Sequence, residues 1–368
     1  MLNSDKNILL IDWLDVYGGA ERVVKYLDEI YHFDKVYTLV NVMPNEALDR
    51  MFSNKNLIIK TSFLQFFGKH FRYTLPLFPV ALKSIKINDK NALIISVTHS
   101  VVKGVEVSNE SLHISYLVSR NLKYVWEEKD LYFKGFKKFF TFIISPLRKF
   151  DIKSANRPNS LVAVSNFVAK WAIEKYKKEV TVIYAPVNID DFELQEKKED
   201  FYVSVGRLEP YKRYDLLIDV FNKNGKKLII IGDGSLMSTL KAKANKNIQF
   251  KGYLFADKSK AFLKNAKAFI FCGKEDFGIA LLEPQACGTP VIAFGEGGAL
   301  ETVIENKTGV FFYKQTSDDL LATIEKFEAL SFEASFIRTH AEKFSIQNFK
   351  QQFIELVNFQ KNSFFKTN

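Results

Sequence analysis

Cysteine is close to absent from this 368-residue chain, occurring only at Cys272 and Cys287. Both lie in apolar stretches without metal-ligand spacing, so two reduced, buried thiols in a cytosolic protein are expected. Histidine is scarce as well. The five histidines form no HxxxH or HxH pair, and a protein-bound metal site is not expected. Long apolar runs are missing. The longest, such as Thr141 to Leu147, fall well below the roughly 18 residues that a membrane span needs. The polar start Met1 to Lys6 and the short run Ile8 to Ile11 do not read as a signal peptide. The dinucleotide fingerprint G-x-G-x-x-G is also missing. After Gly18 and Gly19 come Ala20, Glu21 and Arg22, which disfavours NAD. Tandem repeats and low-complexity tracts are absent.

What the chain does have is positive charge. Fifty-two Lys and Arg face 42 Asp and Glu, a formal net charge of +10. Such an excess calls for a phosphorylated ligand, an anionic lipid surface or nucleic acid. No nucleic-acid motif accompanies it, so nucleic acid is the weakest of the three. The length exceeds one ordinary domain and suggests two, each able to bury a core. Phenylalanine is abundant at 35, a background bias that weakens any argument from one aromatic.

Short apolar runs alternate with amphipathic helical runs. Strands are expected at Ile8–Asp12, Lys35–Val40, Leu57–Lys60, Ala92–Val97, His113–Val118, Leu161–Ser165 and Val180–Tyr184. Helices are expected at Ala20–Tyr31, with Val23, Val24, Leu27 and Ile30 on one face, and at Asn166–Lys178 behind the N-cap Ser165. Ala185 to Asn188 then breaks the pattern, and the charged stretch Asp190 to Asp200 reads as a linker. The alternation restarts with strands at Phe201–Val205, Lys227–Gly232, Ile248–Phe250, Ala268–Phe271, Val291–Phe294 and Val310–Tyr313. Helices at Tyr214–Asn222, Ser235–Ala244, Asp257–Lys267, Gly278–Ala286 and Ser317–Leu330 lie between and after them. Strand–helix alternation of this kind makes parallel sheets covered by helices. The expectation is an α/β protein of two Rossmann-like units facing a cleft, with ligands at the carboxyl ends of strands.

Four stretches can carry chemistry there. In IDWLDVYGGAERVV, Gly18 and Gly19 open a helix after a strand, which suits an anion but also an ordinary tight turn. In VGRLEPYKRYD, Arg207 and Lys212 follow a strand end. A planar guanidinium and a mobile ammonium suit a diphosphate, and equally an exposed basic loop. The turn LIIIGDGS brings Gly232, and IQFKGY brings Tyr253, toward the same end, each a weak signal alone. EDFGIALLEPQACGTPVIA is the sharpest. Glu275 sits in a loop, Gly278 begins a helix, and the amides of Gly278, Ile279 and Ala280 are first-turn donors without helical partners. Glu283 lies eight residues after Glu275, about 12 Å at helical rise. Glu275 then suits hydroxyls of a transferred sugar and Glu283 a ribose diol. The bland reading is a capping carboxylate and a surface glutamate.

Taken together, YGGAERVV, SVTHSVVKGV, LRKFDIKSANRPNSLVAVSNFVAKW, VIYAPVNIDDF, VGRLEPYKRYDLLIDVF, IIGDG and EDFGIALLEPQACGTPVIAFGEGGALETV resemble the retaining GT-B glycosyltransferases of family 4. The similarity covers nearly the whole chain, and its most specific piece is the E-x7-E signature. Within the family it points to bacterial mannosyltransferases of surface-polysaccharide assembly. It implies an acceptor domain over residues 1–186, joined by a C-terminal helix at about 346–368, and a donor domain over 187–345. It implies that Arg207 and Lys212 neutralise the donor diphosphate and that Glu275 contacts the donor sugar. Phe277, Gly278 and Ile279 would be the backbone anchor, Glu283 would hold the ribose, and Gly19 would meet the phosphates. Similar proteins carry His-Thr-Pro or His-Ser-Pro where this chain has Val118–Ser119–Arg120.

The resemblance implies transfer of a hexose, mannose from GDP-mannose, to a lipid-linked or surface glycan, without a cofactor or metal. The alternatives are a degenerate scaffold or nucleotide-sugar-binding protein, and a UDP-sugar transferase or epimerase of the same form. Two basic–aromatic stretches add a membrane expectation. One carries Lys69, His70, Arg72, Lys83 and Lys86. The other carries Lys134, Lys137, Lys138, Arg148 and Lys149. Such surfaces rest on anionic lipid, or else the aromatics are core and the lysines merely solvated. The expected location is cytoplasmic, peripheral on the inner face of the cytoplasmic membrane.

Overall fold

The computed structural model describes residues 6–127, 141–254 and 256–367. The chain divides into two compact units, Met1–Ala185 with Phe349–Asn368, and Pro186–Asn348.

The first unit is built on a seven-stranded sheet. Its order is Ile58–Thr61, Lys35–Thr38, Lys6–Ile11, Ala92–Thr98, Leu112–Leu117, Ser160–Ala163, Val180–Val182. Every neighbouring pair is parallel. Ala92–Thr98 and Leu112–Leu117 are buried at every residue, as a parallel sheet covered on both faces requires. Helix Gly19–Tyr31 buries Val23, Val24 and Leu27. Its buried Asp28 accepts the Phe33 amide at 3.1 Å and the Ser53 amide and hydroxyl, each at 2.8 Å, which fixes the helix exit. Ser165 caps helix Asn166–Tyr176 by accepting the Val168 amide at 3.1 Å, as its position after a strand predicts. The final helix is Ile346–Thr367, and Phe353 on it packs edge-on against Tyr116 and Tyr31 in this unit.

The second unit has a six-stranded parallel sheet. Its order is Ile248–Gly252, Leu228–Ile231, Glu199–Val205, Ala266–Phe271, Val291–Phe294, Gly309–Phe312. In both sheets the chain begins at an inner strand, winds out to one edge, then returns to the other side of its start. The reversal falls between Lys6–Ile11 and Ala92–Thr98 in one unit, and between Glu199–Val205 and Ala266–Phe271 in the other. Loops leaving the carboxyl ends of such a pair diverge and leave a crevice, the usual ligand position in open α/β sheets.

Two expectations need correction. The stretch Asp190 to Asp200 is not a free linker. Ile189 and Phe192 are buried, Arg338 donates to the Phe192 carbonyl at 2.7 Å, and Gln195 donates its amide to Cys287 at 3.1 Å. The charged composition hid two apolar anchors. The basic–aromatic stretch after Thr61 is also divided. Phe71, Phe78 and Leu82 are core, with Phe71 against Trp13, while Phe66 and Tyr73 are 91% and 80% exposed. Of the second such stretch, Lys134, Lys137 and Lys138 lie outside the described residues.

Candidate functional site at two sheet reversals

At the reversal in the second unit, three successive strand ends are stitched together by backbone. Gly206 donates to Ile231 at 3.0 Å, Gly232 to Gly252 at 2.8 Å, and Leu208 to Asp233 at 2.9 Å. A Cβ on Gly232, whose φ is 139°, would lie 1.9 Å from the Gly206 carbonyl oxygen. Only glycine permits this approach, so Gly232 holds the Arg207 loop rather than merely marking a turn. Tyr253, just past the third strand, is 72% exposed.

The Arg207–Lys212 loop closes in a short 3-10 turn, Pro210–Lys212. Arg207 is exposed, with Nη2 3.1 Å from the Tyr211 hydroxyl. Lys212 is largely covered. Its Nζ lies 4.6 Å from the centre of the Phe271 ring and is ion-paired with Glu275. The two loops leaving the reversal therefore meet through the two residues expected to hold diphosphate and sugar.

Beyond Glu275, Asp276 and Phe277 turn inward, and Phe277 packs 5.8 Å from Phe344. Gly278 takes φ 97°, a left-handed conformation that favours glycine, and caps helix Ile279–Ala286. On this helix Ile279, Ala280 and Glu283 are the partly exposed residues, whereas Leu281, Leu282, Pro284, Gln285 and Ala286 are buried. Glu283 thus shares a solvent-accessible helix face with Ile279, four residues earlier. Gly297 and Gly298 close the same corner, with the Gly298 amide donating to the Glu275 carbonyl at 2.9 Å. The sequence reading gave those glycines no role. Their signal is a Gly-Gly pair directly after an apolar strand.

At the reversal in the first unit sits a residue the sequence reading passed over, Asp12. It is fully buried. One oxygen accepts the Thr98 hydroxyl at 3.0 Å and the His99 and Ser100 amides at 2.7 and 2.8 Å. The other accepts the Val101 and Val102 amides at 2.7 and 3.0 Å. A carboxylate so surrounded pins the loop after Ala92–Thr98. That loop presents His99, whose Nδ1 lies 3.5 Å from Asp12 and whose ring meets Trp13 edge-on at 4.4 Å. Burial, with the charges of Lys123 and Arg72, holds His99 below its ordinary value against the opposing pull of Asp12 and Asp15. The imidazole is therefore neutral near pH 7. Arg72, ion-paired with Asp15, covers Trp13.

Of the glycine pair, Gly18 is engaged within the chain. Gly18 caps helix Gly19–Tyr31, but its amide already donates to Glu21 at 2.9 Å. The anion met there is the chain's own. Val118 and Ser119 follow the strand beside His99, and Arg120 is buried over the Phe167 ring at 5.0 Å. Both cysteines are free and buried, and burial pushes the Cys287 thiol up to about 11. Among the described residues no group of three or more His, Cys, Asp or Glu is arranged to hold a metal ion. No described helix is long and apolar enough to cross a membrane.

This arrangement has known counterparts. Residues 187–344 match the family described as "Glycosyl transferases group 1". That match falls on the second unit and takes in less than half of the chain. It is 29% identical over 178 residues to an uncharacterized glycosyltransferase of Methanocaldococcus jannaschii, covering 47% of this chain and 50% of that protein. It is 33% identical over 126 residues to the GDP-mannose-dependent alpha-(1-6)-phosphatidylinositol monomannoside mannosyltransferase of Mycobacterium tuberculosis, covering 29% and 33%. The chain thus spans at most about half the length of these curated relatives. The crystal structure of Anabaena HepE in complex with UDP and glucose matches 96% of this chain and 99% of its own, with a TM-score of 0.69 and 17% identity. At that identity the likeness is one of fold, and the fold is GT-B. The matched segment contains Arg207, Lys212, Glu275 and Glu283.

Proposed function

We propose that the chain is a retaining glycosyltransferase that moves a hexose from a nucleotide sugar to a glycan or lipid-linked glycan, with GDP-mannose as donor. The observation that carries this reading is the Lys212–Glu275 pair at the sheet reversal, beside the first turn of helix Ile279–Ala286. A nucleoside diphosphate needs cations and unpaired amides, and Lys212, Arg207 and that helix start supply both. The exposed face of the helix brings Glu283 into reach of a ribose diol. The mannose assignment is supported by the relatives named for GDP-mannose, and the membrane-side acceptor by the exposed Phe66, Tyr73 and Val80 beside Lys69 and Lys83.

In the proposed reaction the anomeric C–O bond of the donor breaks and its electron pair stays on the nucleotide diphosphate. Arg207, Lys212 and the helix start stabilise that charge, usually the largest lever in such a site. The acceptor oxygen bonds the anomeric carbon on the same face, and its proton passes to the leaving phosphate. Glu275, released from Lys212 by the diphosphate, orients sugar hydroxyls. His99 offers an imidazole at the first unit's own crevice, and the family histidine is missing at Val118–Ser119–Arg120. No protein nucleophile and no metal are invoked.

Thermal unfolding against GDP, UDP, GDP-mannose and UDP-sugars tests the donor. A ligand at 100 times its Kd adds about 2.7 kcal/mol. Protection by the guanine series that vanishes in Glu283→Ala supports the reading. Protection by the uridine series alone removes GDP-mannose, and none at all leaves a nucleotide-free scaffold. Sedimentation with anionic vesicles at moderate salt tests docking, and absence from the pellet rules it out.

A further inference from the structure

Away from both sheet reversals, the first unit has an open pocket of about 360 Å³. Its floor is apolar, with Leu82, Ile85, Ile87 and Val107 among the lining residues. Its rim carries Lys83, Lys86 and Arg157. One wall is a two-stranded parallel ribbon, Lys86–Ile87 against Glu106–Val107. Phe150 of helix Ile144–Ser154 also lines it, and the end of that helix approaches residue 104 closely because that residue is glycine. A Cβ there would lie 2.4 Å from the Ser154 hydroxyl. The ribbon therefore shapes a concavity of the size that holds small ligands.

The charges around it are unbalanced. Glu106 accepts from Arg157 Nη2 at 2.7 Å and is the one carboxylate on the lining. Arg157, and more weakly Lys83 and Lys153, hold its carboxyl below the ordinary value. A guanidinium has five donors, and the bond to Glu106 uses one nitrogen. An apolar floor beneath a cationic rim matches a molecule with a hydrocarbon part and an anionic head. A free sugar would leave the floor unused, and a neutral lipid would leave the rim unanswered.

We infer that this cavity binds the phosphate head of an anionic amphiphile, with the phosphate between Lys83, Lys86 and Arg157 and the adjoining carbons on Leu82, Ile87 and Val107. Lys83 also belongs to the acceptor-side surface proposed above, so the inference extends that reading, and its test, which uses no sugar donor, fails or succeeds separately from the transfer reaction. The phosphate could come from a lipid or from a free phosphate ester, and the test separates the two.

The full-length protein is titrated calorimetrically with dihexanoyl phosphatidylglycerol below its micelle-forming concentration, with dihexanoyl phosphatidylcholine and with glycerol 3-phosphate. The first is expected to bind at least about tenfold tighter than either other ligand, because it alone offers both a net negative charge and chains. Lys83→Gln with Arg157→Gln is expected to weaken it about tenfold or more. The exposed Glu106→Gln is expected to tighten it several-fold, by freeing Arg157 and removing a like charge. That gain is a readout that partial unfolding would not mimic. Equal binding of glycerol 3-phosphate would overturn the role of the floor. Unchanged binding in both variants would overturn the site.

Discussion

Lys212 and Glu275 are 63 residues apart in sequence, yet their side chains form an ion pair where the second sheet reverses. The pair satisfies two largely covered charges. In the proposed reaction, donor binding would be an exchange in which phosphate takes Lys212 and leaves Glu275 for the sugar. Lys212→Met is expected to lower turnover by about 10²–10³. Glu275→Gln is expected to keep nucleotide affinity while losing transfer. Nucleotide-release rates beside GDP-induced thermal shifts check both; equal loss of shift in the two variants would break the division of roles.

Gly232 is a structural test of the same corner. Gly232→Ala sets a Cβ 1.9 Å from the Gly206 carbonyl oxygen, and backbone must move. Destabilisation of about 1–3 kcal/mol is expected. The Arg207 loop hangs from that carbonyl's residue, so nucleotide protection should weaken as well. A variant with unaltered Tm and unaltered protection would show that the three strand ends are not coupled.

His113 gives the first unit a pH dependence. It lies inside strand Leu112–Leu117 with Nε2 2.9 Å from the Ser96 hydroxyl. Burial, helped by the charge of Lys178, holds its imidazole down at about 3. Unfolded histidine titrates near 6.5, so between those values the unfolded chain binds the extra proton. Stability is then full above about pH 6.5 and falls as pH drops toward 3, by at most about 1.4 kcal/mol per unit. His113→Gln should show a flatter dependence of Tm between pH 7 and 4.5. A slope equal to that of the parent would assign the acid sensitivity to other groups.

Much of this was readable from the chain. Parallel strands are continuous apolar runs, so the windows around Ile94 and Ile230 declared themselves. Arg207, Lys212, Glu275 and Glu283 belong to short local motifs, and each lies at a strand end or on the exposed face of the helix that follows. The occupied amide of Gly18 was not readable, because Glu21 serves equally well as a helix-surface residue until its side chain is seen to fold back. The packed stretch around Phe192 was masked by the lysines and glutamates that follow it. The ribbon at Lys86–Ile87 is two residues long, too short for any periodicity. Asp12 was hidden for a more general reason. Its partners are backbone amides 87–90 positions away, and backbone donors leave no trace in residue identity.

Asp12 carries the most discriminating experiment. Its two oxygens take five hydrogen bonds, four from consecutive amides. Asp12→Asn replaces one oxygen by an amide group that can only donate, so at least two of those N–H groups would face another donor. Losing charge-assisted bonds at a buried site is expected to cost the first unit roughly 3–5 kcal/mol. It also frees the loop that presents His99. His99→Ala leaves Asp12 and its amides intact, so it should fold normally and lose transfer alone. Neither residue belongs to the second unit, proposed to bind the nucleotide, so GDP should still raise the transition of that unit in both variants. Full transfer activity in His99→Ala would remove the imidazole from the reaction and leave Asp12 as a purely structural anchor. Activity lost in both, with GDP protection retained, would assign the first unit's crevice to the sugar-transfer step and the second's to the nucleotide.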